Sequence, residues 1–205
     1  AYVLSEPLGA IQTAAESAIA EFEKVTRLRK SATAQTTALT ERARKLISKA
    51  EHSRPDDIMG YVHHLADLRG VRGEVISLRD VRYVNVEQLE ALESEVQEVA
   101  ERVSGHCVEF LLKDDSLRPY RDQVEQQQVA IEKISKAAEG KVIDEELGKT
   151  GEELEMLIDI VSNLKIEDAT QTTQIIDGIS DIYGTLNQVR VTLKNTLREL
   201  GREEG

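Results

Sequence analysis

The chain has 205 residues, a mass of 22.9 kDa and only seven aromatic side chains, five Tyr and two Phe. Aromatic residues normally anchor the core of a globule of this size, so the composition favours thin helical layers over a thick core. The net charge of −12 argues against a general nucleic-acid-binding surface, because phosphate contacts need clustered Lys and Arg.

The charge is unevenly distributed along the chain. Residues 1–85 carry 13 basic and 11 acidic side chains, a balance of +2, whereas residues 86–205 carry 13 and 27, a balance of −14. We expect one elongated helical domain over 1–205, within which 1–84 and 85–205 could form sub-parts. The chain begins Ala-Tyr without Met, and we expect it to be a piece of a larger protein.

The first predicted helix covers residues 8–50, with Ser5 as its cap and Pro7 in its first turn. Apolar residues mark one face at the spacing of a helix and resume the same register after the polar stretch 31–37. These residues are Leu8, Ile11, Ala15, Ala18, Phe22 and Val25, followed by Leu39, Ala43, Leu46 and Ala50. A face of this length requires a packing partner.

A break at 52–57, which contains Pro55, precedes the second predicted helix. Its apolar seam consists of Ile58, Tyr61, Leu65, Leu68 and Val75. The same two lines then reach Arg72, Arg79 and Arg82, which leaves two interpretations. Either the helix bends at Gly70 or Gly73, or the guanidinium groups are partly buried and paired with carboxylates of another helix, which we favour.

The third predicted helix, 85–113, has the clearest heptad pattern in the chain. Asn85 and Gln88 form a candidate capping box, and the seam consists of Leu89, Leu92, Val96, Val99, Val103 and Phe110. A fourth helix carries Leu117, Tyr120, Val124, Ile131 and Ile134 and is predicted to stop at Gly140. Short connections between long helices favour antiparallel neighbours.

Two further capping boxes predict the last helices. Thr150 with Glu153 would open a fifth helix, and Asp168 with Gln171 a sixth that ends at Gly201. The sixth carries a heptad seam of Ile175, Ile179, Ile182, Leu186, Val189, Leu193 and Leu200. The predicted fold is therefore all-α: an elongated antiparallel bundle of coiled-coil-like hairpins with about six helices, two of them long.

No residue constellation predicts catalysis, a cofactor or a metal. Gly148-Lys149-Thr150 resembles the end of a phosphate-binding loop, but Ile143 occupies the position of its first Gly, so we interpret it as a helix boundary. His63 and His64 point about 100° apart on a helix and cannot share a metal ion as an i, i+4 pair could. His106 falls on the third seam and is predicted to pack there, with Cys107 as a small buried hydrophobe.

The basic stretch 24–49 is the only candidate for nucleic acid or an anionic membrane. Its two runs, 24–30 and 42–49, contain no interleaved aromatic residues for base stacking, and acidic residues lie close by. We therefore interpret both runs as solvated helix faces. The single Cys favours a reducing compartment, and no apolar run is long enough to span a bilayer, so we expect a cytoplasmic protein.

Five stretches together resemble the helical middle region of large bacterial proteins labelled DNA repair ATPases. They are Leu68–Gly73 with Leu78-Arg79-Asp80-Val81-Arg82-Tyr83, Glu109-Phe110-Leu111, and Leu164–Thr170 with Asn187-Gln188-Val189-Arg190. In that family this region is similar to a linker ahead of a C-terminal AAA-type ATPase module, which carries the phosphate-binding motifs. None of those motifs occurs here, so the resemblance transfers no catalytic residue.

The resemblance implies a non-enzymatic helical stalk or docking domain, which couples motion of the ATPase to a partner. The implied partners are other domains of the parent protein and flotillin-like or phage-shock-type proteins, because relatives are encoded beside them; self-association is a further option. No small-molecule substrate is implied. The alternative is a module that binds DNA or anionic membrane through residues 24–49.

Overall fold

The computed structural model describes residues 4–164 and 166–203, the side chain of residue 203 excepted, and within them the fold is all-α. Six helices follow one another: α1 (Ser5–His52), α2 (Ile58–Leu78), α3 (Val86–Leu111), α4 (Arg118–Ile131), α5 (Ala137–Asn163) and α6 (Ala169–Glu203). The predicted class, the number of helices and the two long helices, α1 and α6, are confirmed.

The chain forms two compact units, and α1, α2 and α3 contribute to both of them. The first unit contains Ala1–Ser48 and Asp67–Glu98, and the second contains Lys49–Ala66 and Val99–Gly205. The expectation of a single domain with sub-parts 1–84 and 85–205 stays a prediction.

In the first unit, ion pairs show which helices lie side by side. Arg42 of α1 pairs with Glu74 of α2, and Arg44 pairs with Glu95 of α3. Consecutive helices are antiparallel, as their connections of five and seven residues require. The apolar seams meet between them and bury Ala32, Leu39, Ala43, Ile47, Leu68, Val71, Val75, Leu78, Leu89, Leu92 and Val96.

In the second unit, α5 packs along α6, and α4 packs against both. The pairs Asp144–Arg190 and Glu155–Tyr183 run in opposite directions along α5 and α6, so these two helices are antiparallel. Every predicted seam residue of α6 from Ile175 to Leu193 is buried. The heptad pattern therefore identified this packing face correctly.

Several predicted helix ends are confirmed by their caps. Asn85 Oδ1 accepts a hydrogen bond from the Gln88 amide at 3.1 Å, and Asp168 Oδ1 accepts one from the Thr170 amide at 2.8 Å. Each bond satisfies an amide that the first turn of a helix leaves without a partner. The connection around Pro55 also lies where the sequence predicted it.

The predicted break between Gly140 and Thr150 is wrong, because α5 runs through both residues. It begins at Ala137, where Glu139 accepts hydrogen bonds from the Ser135 and Lys136 amides at 2.8 and 3.3 Å. These bonds hold the pKa of the Glu139 carboxyl below its usual value. Gly140 lies buried against Leu197, where a side chain would overlap it, so packing explains the glycine. Helix α6 likewise continues beyond Gly201 to Glu203.

Candidate docking surface

The N-terminal half of α1 carries an apolar stripe that lies in solvent. Its large side chains are between 58 and 73% exposed, and from residue 4 to residue 31 only Val25 is even half-buried. The stripe consists of Leu4, Leu8, Ile11, Ile19 and Phe22. The sequence predicted that this face packs, and within the described part of the chain that expectation is wrong.

The exposed stripe and the buried half of α1 belong to one seam. Intervals of four and three residues alternate without interruption from Leu4 to Ala50, which is a complete series of heptad a and d positions. The later positions Ala32, Thr36, Leu39 and Ala43 are buried in the first unit. We call residues 4–28 the open seam, because the same pattern continues there without cover.

The open seam ends where the connection between α2 and α3 reaches α1. The Tyr83 ring lies 5.3 Å from the Arg29 guanidinium and 5.5 Å from that of Arg82, which is within the range of cation–π attraction. Tyr83 has a φ of 70°, an uncommon conformation for a residue with a side chain. Arg29 occupies an a position of the seam. Tyr83 therefore contacts the residue that separates the exposed part of the seam from its buried part.

The arginine cluster of the first unit centres on Glu93 of α3. Arg79 Nη2 lies 2.9 Å from Glu93 Oε2, and Arg72 Nη2 lies 3.3 Å from Glu93 Oε1. The predicted partial burial with pairing is confirmed for these two residues, and α2 passes both Gly70 and Gly73 without a break. Arg82 is exposed beside Tyr83, so the prediction is wrong for it.

The basic runs lie on exposed helix faces, as predicted. In the second run, Arg42 and Arg44 are neutralised by Glu74 and Glu95. In the first run, no described carboxylate lies within ion-pair distance of the four cations, which are Lys24, Arg27, Arg29 and Lys30. This run therefore places four unneutralised charges at the end of the open seam.

A cavity of about 300 Å³ lies in the second unit, beside the connection between α1 and α2. His64 and His106 line it, and the ion pair between Glu51 and Arg102 forms part of its wall. His64 is buried, whereas His106 is exposed, with Nδ1 at 3.6 Å from Glu109 Oε2. The prediction that His106 packs in the seam is wrong, because the adjacent Cys107 occupies the buried position.

A second group of titratable residues surrounds Glu153 of α5. His63 Nε2 lies 2.7 Å from Glu153 Oε1. Burial, followed by the negative charge of Glu153, raises the pKa of the Tyr120 hydroxyl far above its usual value. Tyr120 therefore stays neutral at any physiological pH.

The remaining residues that the sequence singled out are accounted for by packing and by hydrogen bonds within a helix. Cys107 is fully buried, and desolvation raises the pKa of its thiol to about 12, so the reactive thiolate does not form near neutral pH. Thr150 is buried within α5, and its hydroxyl donates a hydrogen bond to the Glu146 carbonyl at 3.0 Å. Gly148-Lys149-Thr150 is thus helix interior, not the helix boundary that the sequence predicted.

No group of three or more His, Cys, Asp or Glu side chains is arranged to hold a metal ion within residues 4–164 and 166–203. Over the same residues, no helix is both long and apolar enough to cross a bilayer.

Comparison with known proteins finds a family match within the second unit. Residues 115–199 match a domain of unknown function, DUF7902. No curated protein matches the chain, and no solved structure matches it. The matched region contains α4, α5 and most of α6, so the open seam of α1 lies outside it.

Sequence reasoning missed two contributors to the first unit. Glu93 carried a usable signal, because it lies one helical turn after Glu90 on α3 and both reach Arg79. Tyr83 carried none, since its position against Arg29 depends on how α1 and α2 pair.

Proposed function

We propose that this chain is a non-catalytic docking domain that binds a helix of a protein partner along the open seam of α1. The observation that carries the proposal is the exposed apolar stripe of residues 4–28. Four of its five large side chains follow the a and d pattern by which helices recognise helices, and Ile19 lies beside that line. An exposed apolar patch of this extent is typical of a protein interaction site.

The environments of the chemically reactive side chains support a non-enzymatic role. Cys107 is buried and protonated, and the Thr150 hydroxyl donates to the backbone of its own helix. His63 Nε2 lies within hydrogen-bond distance of Glu153 Oε1, at 2.7 Å, at the surface of the second unit. Each group has a packing or pairing partner that accounts for it without chemistry.

We further propose that the domain acts as a stalk within a large AAA-type ATPase. The support is the resemblance of residues 68–73, 78–83, 109–111, 164–170 and 187–190 to the middle region of that family. The domain would couple nucleotide-driven motion to other domains of its parent or to flotillin-like or phage-shock-type proteins, in the cytoplasm. Because α1 is one continuous helix, movement of a partner on the open seam would be transmitted to the buried half of the same helix.

A second candidate is binding to DNA or an anionic membrane through residues 24–49. The four unneutralised cations of the first basic run favour it. Salt-dependent binding of the chain to duplex DNA or to phosphatidylserine vesicles, lost in an Arg27→Glu/Lys30→Glu variant, would support this candidate.

Photo-crosslinking tests the docking function directly. A benzophenone side chain placed at Phe22, on the open seam, should crosslink to an identifiable protein in cells that produce this chain. The same probe at Ser17, on the opposite face of α1, is the matched control and should not. Crosslinking of Phe22 to lipid alone, or to nothing, would refute the proposal.

A further inference from the structure

We propose that the partner on the open seam is a second copy of this chain, paired with the first as two antiparallel α1 helices. This inference rests on the proposed function, because it names the occupant of the same surface. Residue 4 of one copy would lie beside residue 29 of the other, with Ala15 facing Ala18 at the centre.

The open seam continues an interface that the chain already forms. The heptad positions from Ala32 to Ala43 are buried in the first unit, whereas of the positions before Arg29 only Val25 is even half-buried. The change occurs at the Tyr83 contact. The uncovered part is 25 residues long, which is about 37 Å of helix.

The open seam also matches itself. In a two-fold antiparallel pair each residue n faces residue 33 − n of the other copy, and every seam position then meets a seam position. Ala15 faces Ala18, Ile11 faces Phe22, and Leu8 faces Val25. The two alanines allow close approach at the centre, and the larger side chains fill both ends.

Charge selects the antiparallel direction over the parallel one. The four acidic residues of α1 before residue 24 are followed by four cations between residues 24 and 30. A parallel pair would place Arg29 of one copy against Arg29 of the other at an a position of the seam, which is repulsive. The antiparallel pair separates the two Arg29 side chains, each of which meets Leu4 of the other copy, and it also opposes the two helix dipoles.

The buried area is sufficient for a specific dimer. Leu4, Leu8, Ile11 and Phe22 of the open seam, and Ile19 beside it, are between 58 and 73% exposed. If each loses about 100 Å², the pair buries about 1,000 Å² in total, which is the lower bound for specific interfaces. A helix of this length without such packing would be marginal in water, because packing of an apolar face supplies most of a helix's stability.

Sedimentation equilibrium of the full chain tests the association. The expected mass is twice the 22.9 kDa of one chain. Phe22→Glu should weaken association at least 100-fold, because it places a charge in the seam on both copies. Ser17→Glu introduces the same charge on the opposite face and should leave the dimer intact.

Disulfide trapping tests the direction. When Ala15→Cys and Ala18→Cys chains are mixed and oxidised, the disulfide between residue 15 of one copy and residue 18 of the other should exceed both same-site disulfides. A parallel pair would give the opposite order. The native Cys107 does not interfere, because it is fully buried.

A monomeric mass at about 100 µM, a dimer that Phe22→Glu leaves unchanged, or predominance of same-site disulfides would overturn the inference. Photo-crosslinking at Phe22 separates this failure from failure of the proposed function. Crosslinks to a different protein would overturn self-pairing and retain the docking role. Crosslinks to no protein would overturn both.

Discussion

Replacing Glu93 by Gln should destabilise the first unit more than any comparable surface substitution in it. The change keeps the size of the side chain but removes the charge that pairs with Arg79 at 2.9 Å and with Arg72 at 3.3 Å. Arg72 would then remain partly desolvated without a carboxylate, and Arg79 would keep only Glu90, at 3.9 Å.

The expected magnitude follows from the burial of the cluster. The Arg79 side chain is 27% exposed and that of Glu93 is 16% exposed, so the pair lies between the surface and interior limits. Exposed pairs contribute about 0.2–1 kcal/mol, and breaking fully buried pairs costs about 3–5 kcal/mol. We therefore expect Glu93→Gln to lower the free energy of unfolding by about 2 kcal/mol, and Arg79→Met to lower it by about 1 kcal/mol, since Arg72 still neutralises Glu93.

Urea denaturation followed by circular dichroism measures both values, and the double variant Arg79→Met/Glu93→Gln gives the coupling between the two residues. The matched control is Glu95→Gln on the same helix, whose partner Arg44 lies 3.5 Å away with both side chains substantially exposed. That substitution should cost less than about 0.5 kcal/mol. Equal costs for Glu93→Gln and Glu95→Gln would show that partial burial does not strengthen the cluster.

Three other predictions concern single sites. Gly60→Ala should destabilise the second unit by about 1–2 kcal/mol, because the new methyl group would overlap the Pro55 ring. Gly73→Ala should stabilise α2 by about 0.5–1 kcal/mol, because no atom lies within 4 Å of the added methyl group. Thermal melts compare the two variants, and stability gains of equal size would contradict the steric argument. Burial raises the pKa of the Cys107 thiol from 9.0 to about 12, so the unfolded chain loses this proton at a lower pH than the folded chain. The free energy of unfolding should therefore fall by up to about 1.4 kcal/mol per pH unit between pH 9 and 12. Cys107→Ala should remove this slope in urea titrations at several pH values. Because Lys149 and Thr150 lie within α5 with no phosphate-binding loop, calorimetry should detect no micromolar ATP binding; measurable binding would contradict the non-catalytic proposal.

The sequence by itself determined the helical class and the packing faces of α3 and α6. Leu89 to Val103 of the α3 seam, and Ile175 to Leu193 of the α6 seam, were predicted residue by residue, because a helical period places apolar side chains on one line whatever their partner is. The caps at Asn85 and Asp168 were predictable for a similar reason, since a cap is a contact between residues two or three positions apart. Such local interactions are encoded in consecutive residues.

Tertiary structure determined the features that depend on which helix packs against a given helix face. Gly140 resembled a helix stop, but Leu197 of α6 occupies the space beside it, and the helix continues. Arg72 and Arg79 acquired their partner only when α3 placed Glu93 between them. The seam of α1 has the same heptad pattern on both sides of Arg29, yet only its second half is buried. A heptad pattern specifies that a helix face is apolar, but the face is buried only where another helix lies alongside it. Helix α2 ends at Leu78, close to the Tyr83 contact with Arg29, so it does not continue alongside the first half of α1.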